Sequence, residues 1–113
     1  MTLLRLKKLY YHLILLLFFI STAMAETPVI ELEIRDHLFY PSEIVIPADT
    51  KVKLIINNLD ATAEEFESYE LNREKIIPAG SKGIIFIGPL PAGVYPFFGE
   101  FYPKTAQGKV IVE

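Results

Sequence analysis

Carboxylates are the main chemistry this sequence offers. Glu64-Glu65-Phe66-Glu67, with Glu70 shortly after, concentrates acids in one short stretch, and Glu100 stands in Gly99-Glu100-Phe101-Tyr102. Carboxylate oxygens suit hard cations such as Fe³⁺, Mn²⁺ or Ca²⁺, and accept Cu²⁺ together with an imidazole. Along an extended strand Glu65 and Glu67 share a face while Glu64 points the other way. At most two or three acids of this stretch are therefore expected to converge on one ion. The plainer reading is a solvated acidic loop making surface ion pairs with Arg73 and Lys75.

A second donor type is His37, in Arg35-Asp36-His37-Leu38-Phe39, where Asp36 is placed to orient the ring. Imidazole is the commonest transition-metal ligand among side chains, although a lone histidine in a turn is ordinarily a surface residue. Glu64, Glu65, Glu67, Glu100 and His37 thus make up the candidate metal-ligand set. Tyr102 offers a phenolate for Fe³⁺ only with strong help from the metal, since its ordinary pKa is about 10. Asp60, after Asn57-Asn58, is expected to form an Asx turn. The chain has no cysteine. Thiolate chemistry is excluded, including dithiol redox, iron–sulfur clusters and copper–thiolate centres. No serine–histidine pair, glycine-rich phosphate loop or metal-hydrolase motif is present. The expectation is a non-enzyme with no catalytic residue.

The N-terminus reads as a leader. Arg5, Lys7 and Lys8 precede the apolar run Leu13–Ile20, and Ala23-Met24-Ala25 gives a small-x-small cleavage pattern. The apolar run is well short of the roughly 20 residues that span a bilayer. Residues 1–25 are therefore expected to be a signal peptide and residues 26–113 one exported domain. Without the leader, 8 bases face 14 acids, a net charge of about −6. That balance argues against nucleic acid, whose phosphates need basic neutralisation, and is compatible with a cation or a cationic partner.

The elements that must position these groups read as short strands. Val29–Ile34 and Glu43–Ile46 alternate apolar and polar residues, and Lys51–Asn57 alternates before turning apolar on both faces. Ser81–Ile87, Val94–Phe98 and Gly108–Val112 follow the turns Pro78-Ala79-Gly80 and Pro91-Ala92-Gly93. Phe66–Leu71 is either an edge strand or a loop between sheets. This spacing predicts an all-β, antiparallel sandwich or barrel in one domain.

The order of these pieces resembles a known family. Phe39-Tyr40-Pro41-Ser42-Glu43-Ile44-Val45-Ile46-Pro47-Ala48 precedes a strand ending Asn57-Asn58-Leu59-Asp60. Pro78-Ala79-Gly80-Ser81, Pro91-Ala92-Gly93-Val94-Tyr95-Pro96-Phe97 and Gly108-Lys109-Val110-Ile111-Val112 complete it. Together they are similar to the cupredoxin-like domain of the EfeO type, over essentially residues 26–113. The resemblance implies a Greek-key β-sandwich and a periplasmic setting beside iron or copper uptake. It also implies that the loop after Asn57 and the Gly99–Tyr102 loop meet at one end, bringing Glu64 or Glu65 toward Glu100.

Copper-binding relatives carry two histidines, a cysteine and often a methionine in these loops, the trigonal set that tunes copper for electron transfer. Carried over, the first histidine falls at Glu64 or Glu65, the cysteine at Gly99 and the second histidine at Tyr102. The methionine falls within Thr105-Ala106-Gln107. None is retained, which excludes a blue-copper electron carrier. What the resemblance leaves is a periplasmic accessory in metal handling. It would hold a copper or iron ion weakly, or meet a periplasmic or inner-membrane metal-transport protein. The alternative is a metal-free β-sandwich that docks to a periplasmic or membrane partner.

Overall fold

The computed structural model describes residues 26–113, and the leader expected at residues 1–25 lies outside the described residues. Nine strands follow one another: β1 (Val29–Arg35), β2 (Leu38–Tyr40), β3 (Glu43–Ile46), β4 (Val52–Asn58), β5 (Glu64–Ser68), β6 (Arg73–Ile77), β7 (Lys82–Ile87), β8 (Gly93–Gly99) and β9 (Gln107–Val112). They form a four-stranded sheet ordered β2-β1-β4-β7 and a five-stranded sheet ordered β3-β9-β8-β5-β6. The all-β sandwich is as the sequence led us to expect.

Period-two alternation sets which face each strand buries. Leu32, Ile34, Val52, Leu54, Ile56, Ile85 and Ile87 come inward from the first sheet. Ile44, Ile46, Phe66, Ile77, Phe97, Val110 and Val112 meet them from the second. At the centre Phe39 stands edge-on to Phe97, with centroids 5.0 Å apart and planes at 87°. Phe66 lies against Phe97 at 4.9 Å. This aromatic trio joins the β2 edge of one sheet to the middle of the other.

The wholly antiparallel expectation needs correction. β1 pairs with β4 in parallel, Val29 opposite Lys53 through Ile34 opposite Asn58. β3 pairs with β9 in parallel, Glu43 opposite Lys109 through Ile46 opposite Val112. Strand polarity depends on which sheet the connecting chain visits, and residue patterning carries no record of that. β6, which the sequence reading did not find, is the outer edge of the second sheet, and β5 lies inside it. β6 has only one fully buried residue, Ile77, so its alternation is almost silent.

Two turns position the functional end. Asp36 and His37 both take positive φ, 52° and 61°, which makes the tight β1–β2 hairpin. The backbone N–H groups of both donate to the carboxylate of Asp60, to Oδ1 at 2.7 Å and Oδ2 at 3.0 Å. The Asx turn belongs instead to Asn58, whose Oδ1 accepts from Asp60 N–H at 3.0 Å. Asn58 is fully buried, and its Nδ2 donates to the carbonyls of Thr62 and Ile77 at 2.9 and 3.1 Å. Asp60 therefore clamps a neighbouring hairpin rather than its own loop.

Because Phe66 is completely buried and touches both Phe39 and Phe97, Phe66→Ala should lower stability by about 3–5 kcal/mol. Urea unfolding followed by tyrosine fluorescence checks this.

Candidate functional site

The candidate ligands divide among three places. Glu64 opens β5 facing the core and is 1% exposed. Its Oε1 accepts two backbone N–H bonds, from Glu65 and from Phe101, each at 2.9 Å. Oε2 has no hydrogen-bond partner among the described residues. The carboxyl lies beside Gly99: a Cβ there would come 2.5 Å from Glu64 Cδ, 2.6 Å from Oε2 and 2.7 Å from Ala106 Cβ. Glu64 is thus an internal strap from β5 to the loop between β8 and β9.

Glu65 and Glu67 point out from the other face of β5. With Glu74 on β6 they offer oxygens within 4.8 Å of one another. Glu67 sits directly opposite Glu74 in the strand register. Glu74 was missed because its strand was missed, and only the cross-strand register reveals it. Glu100 extends the group: its N–H donates to the Glu65 carbonyl at 2.9 Å, and its charge is felt at Glu67. Desolvation on the sheet raises the Glu67 pKa, as do the facing Glu74, a hydrogen bond with Glu65 and the charges of Glu65 and Glu100.

No cation compensates these acids. Among the described residues no ion pair involves Glu65, Glu67, Glu74 or Glu100. The expected partners turn elsewhere. Arg73 donates to the carbonyls of Phe86 and Asn72. Lys75 alternates to the opposite side of β6 from Glu74 and runs toward Gly83.

His37 belongs to neither group. Its ring stacks on Tyr102, centroids 3.5 Å apart and planes at 13°, and Nδ1 lies 3.5 Å from Asp60 Oδ2. The stack ties the β1–β2 turn to the β8–β9 loop. Asp60, rather than the adjacent Asp36, orients the imidazole.

With this geometry in view, the comparisons can be placed. Residues 9–112 match the cupredoxin-like domain family. The chain belongs to that family. A curated relative is an uncharacterised protein of Rickettsia prowazekii (strain Madrid E), 46% identical over 83 residues, covering 74% of this chain. The chain spans 66% of that relative's length. Among solved structures, the metal-binding domain of the Streptococcus pneumoniae D39 Cu(I)-exporting P-type ATPase superposes with a TM-score of 0.68 at 16% identity, covering 80% of this chain and 92% of that one. Auracyanin A, a "blue" copper protein from Chloroflexus aurantiacus, gives 0.66 at 14% identity, covering 78% and 100%. Amicyanin from Paracoccus versutus gives 0.59 at 19%, covering 82% and 87%. At these identities the likeness is one of fold.

This cupredoxin-like domain does not fit a resident copper–thiolate centre. Gly99 has no side chain, and the Glu64 carboxyl already fills the space that one would enter. Among the described residues Oε2 is the one buried side-chain oxygen without a hydrogen-bond partner, and a single oxygen cannot replace two imidazoles and a thiolate. Tyr102 is held against His37. The end of the fold is closed by its own side chains.

Gly99→Ala should cost about 1–3 kcal/mol by overpacking. Glu64→Ala should also destabilise, because the Glu65 and Phe101 N–H groups lose their acceptor. The double variant should lose less than the sum, with a coupling of about 0.5–3 kcal/mol; strict additivity in denaturant midpoints would show that the two do not compete for space. A separate prediction concerns Glu67, whose folded-state pKa is raised. Its charged form opposes folding, so stability falls as pH rises through that pKa. Glu67→Gln should therefore raise Tm at pH 7. The gain should vanish below the ordinary carboxylate pKa of about 4.3, where both states are protonated.

Proposed function

We propose that this is an exported, periplasmic accessory of metal handling, of the EfeO-type branch, that works through its surface rather than through a buried redox copper. One observation carries the reading: Glu65, Glu67 and Glu74 hold carboxylate oxygens within 4.8 Å of one another, with no ion-pair partner among the described residues. Oxygen-only donors favour hard ions, Fe³⁺ or Mn²⁺ before Cu⁺. Desolvation first, and then the like charges of Glu74, Glu65 and Glu100, raise the Glu67 pKa, and a bound cation would relieve that repulsion. The fold shared with a Cu(I)-exporting ATPase domain supports a setting in metal traffic. In this reading iron or copper ions are cargo, met transiently and passed to a periplasmic or inner-membrane transport protein. After leader cleavage the domain would not be integral to the membrane.

Of the ligands suggested by sequence, Glu65 and Glu67 stay in the proposed set, Glu74 joins it and Glu100 lies next to it. Glu64 serves as an internal strap and His37 as a packing partner.

A metal-free interaction module is the second reading, favoured by aromatic and aliphatic exposure on the same face: Tyr69 is 72% exposed, and Val45 and Val94 more than half.

Calorimetric titration of the full chain with Mn²⁺, Fe³⁺ and Cu²⁺ tests the metal reading. A saturable site of about 10 µM or tighter, roughly −7 kcal/mol, is expected, weakened at least about tenfold in Glu67→Gln/Glu74→Gln. No saturable site, or an unchanged one in that variant, would overturn it.

A further inference from the structure

The outer face of the five-stranded sheet is uncovered by any element among the described residues, and its outward side chains fall in ordered rows. Val45, Ile111 and Val94 stand side by side across β3, β9 and β8. The next row is Glu43, Lys109 and Pro96, in which Lys109 and Glu43 neutralise each other at 3.2 Å. Beyond it, Gln107, Phe98, Glu67 and Glu74 run across β9, β8, β5 and β6. Glu65 opposes Ile76 in the last row, with Glu100 adjoining Glu65. Tyr69 packs on Phe98 with ring centroids 5.6 Å apart. One corner is aliphatic and the diagonally opposite corner acidic, with two aromatic rings between them.

We propose that this face docks a basic amphipathic segment of a partner protein. The proposal rests on the interaction reading above and names the partner's chemistry. Charge complementarity identifies the occupant. Glu67 and Glu74 are directly opposed like charges, an arrangement that destabilises a sheet by itself, and no cation among the described residues forms an ion pair with them. A lysine or arginine from outside would satisfy both. An arginine gains further from the Phe98 and Tyr69 faces, since a guanidinium over an aromatic ring is attracted to it.

A lone metal ion would use the acidic corner and leave Val45, Ile111 and Val94 without a role. A segment that is aliphatic at one end and cationic at the other uses both. Four strand spacings of about 4.8 Å and two rows of about 6.6 Å along the strands set the diagonal corners roughly 23 Å apart, the length of about 16 residues of helix at 1.5 Å each.

The test is fluorescence anisotropy of the full chain in EDTA with labelled helical peptides of about 16 residues. One peptide carries leucines toward one end and arginines toward the other; a control keeps the leucines and replaces arginine with glutamate. The basic peptide should bind in the micromolar range and the acidic control at least about a hundredfold more weakly. Affinity should fall about tenfold or more in Glu67→Gln/Glu74→Gln, and severalfold in Val45→Ser/Val94→Ser. Equal binding of the two peptides, or no binding, would overturn the proposal. So would loss in the acidic variant alone, with the serine variant unaffected, because that pattern describes charge attraction without docking. EDTA removes metal from this assay, so its outcome stands apart from the calorimetric one.

Discussion

Apolar burial between two sheets is the constraint on which everything else in this domain depends. With no cysteine to staple it, the sandwich is held by interleaved side chains, Leu32, Leu54 and Ile56 from one sheet meeting Phe66, Phe97 and Val110 from the other. Strands can supply such a core, but the loops at their ends cannot. The loop ends are organised instead by three buried or half-buried polar side chains, Asn58, Asp60 and Glu64, each satisfying backbone groups from a different segment. Glu64 joins β5 to the β8–β9 loop through the Phe101 N–H, and the His37–Tyr102 stack adds a second tie.

Glu64 and Glu65 are neighbours in sequence but lie on opposite sides of the sheet. The inner one is spent on backbone N–H groups and the outer one faces solvent with Glu67. A side chain at Gly99 would collide with the inner carboxyl, so placing one there would require simultaneous change on β5. The outward carboxylates of Glu65, Glu67 and Glu74 carry no such restriction, because none of them accepts a hydrogen bond from the backbone among the described residues.

Much of the fold was legible because inward residues repeat every second position in β1, β3, β4 and β7. β6 was not, since most of its side chains are exposed and the strand is defined by pairing alone. Losing β6 meant losing Glu74, the third member of the acidic group. The opposite faces of Glu64 and Glu65 followed from strand geometry. What local sequence could not convey was long-range: which hairpin Asp60 clamps, what stacks on His37, and that two strand pairs run parallel.

Those parallel pairs shape how the domain must assemble. β3 has no sheet neighbour until β9, the final strand, arrives beside it, and β1 waits for β4 across the whole β2–β3 excursion. Neither sheet can close from local hairpins alone. Loop-closure entropy is lost before these distant contacts compensate, which makes the folding of such topologies slow. Until Gln107–Val112 docks, the facing edges of β3 and β8 keep unpaired backbone groups open to water and to other chains. For this protein the last strand is therefore the step that ends exposure, and truncation there would harm yield more than its few residues suggest.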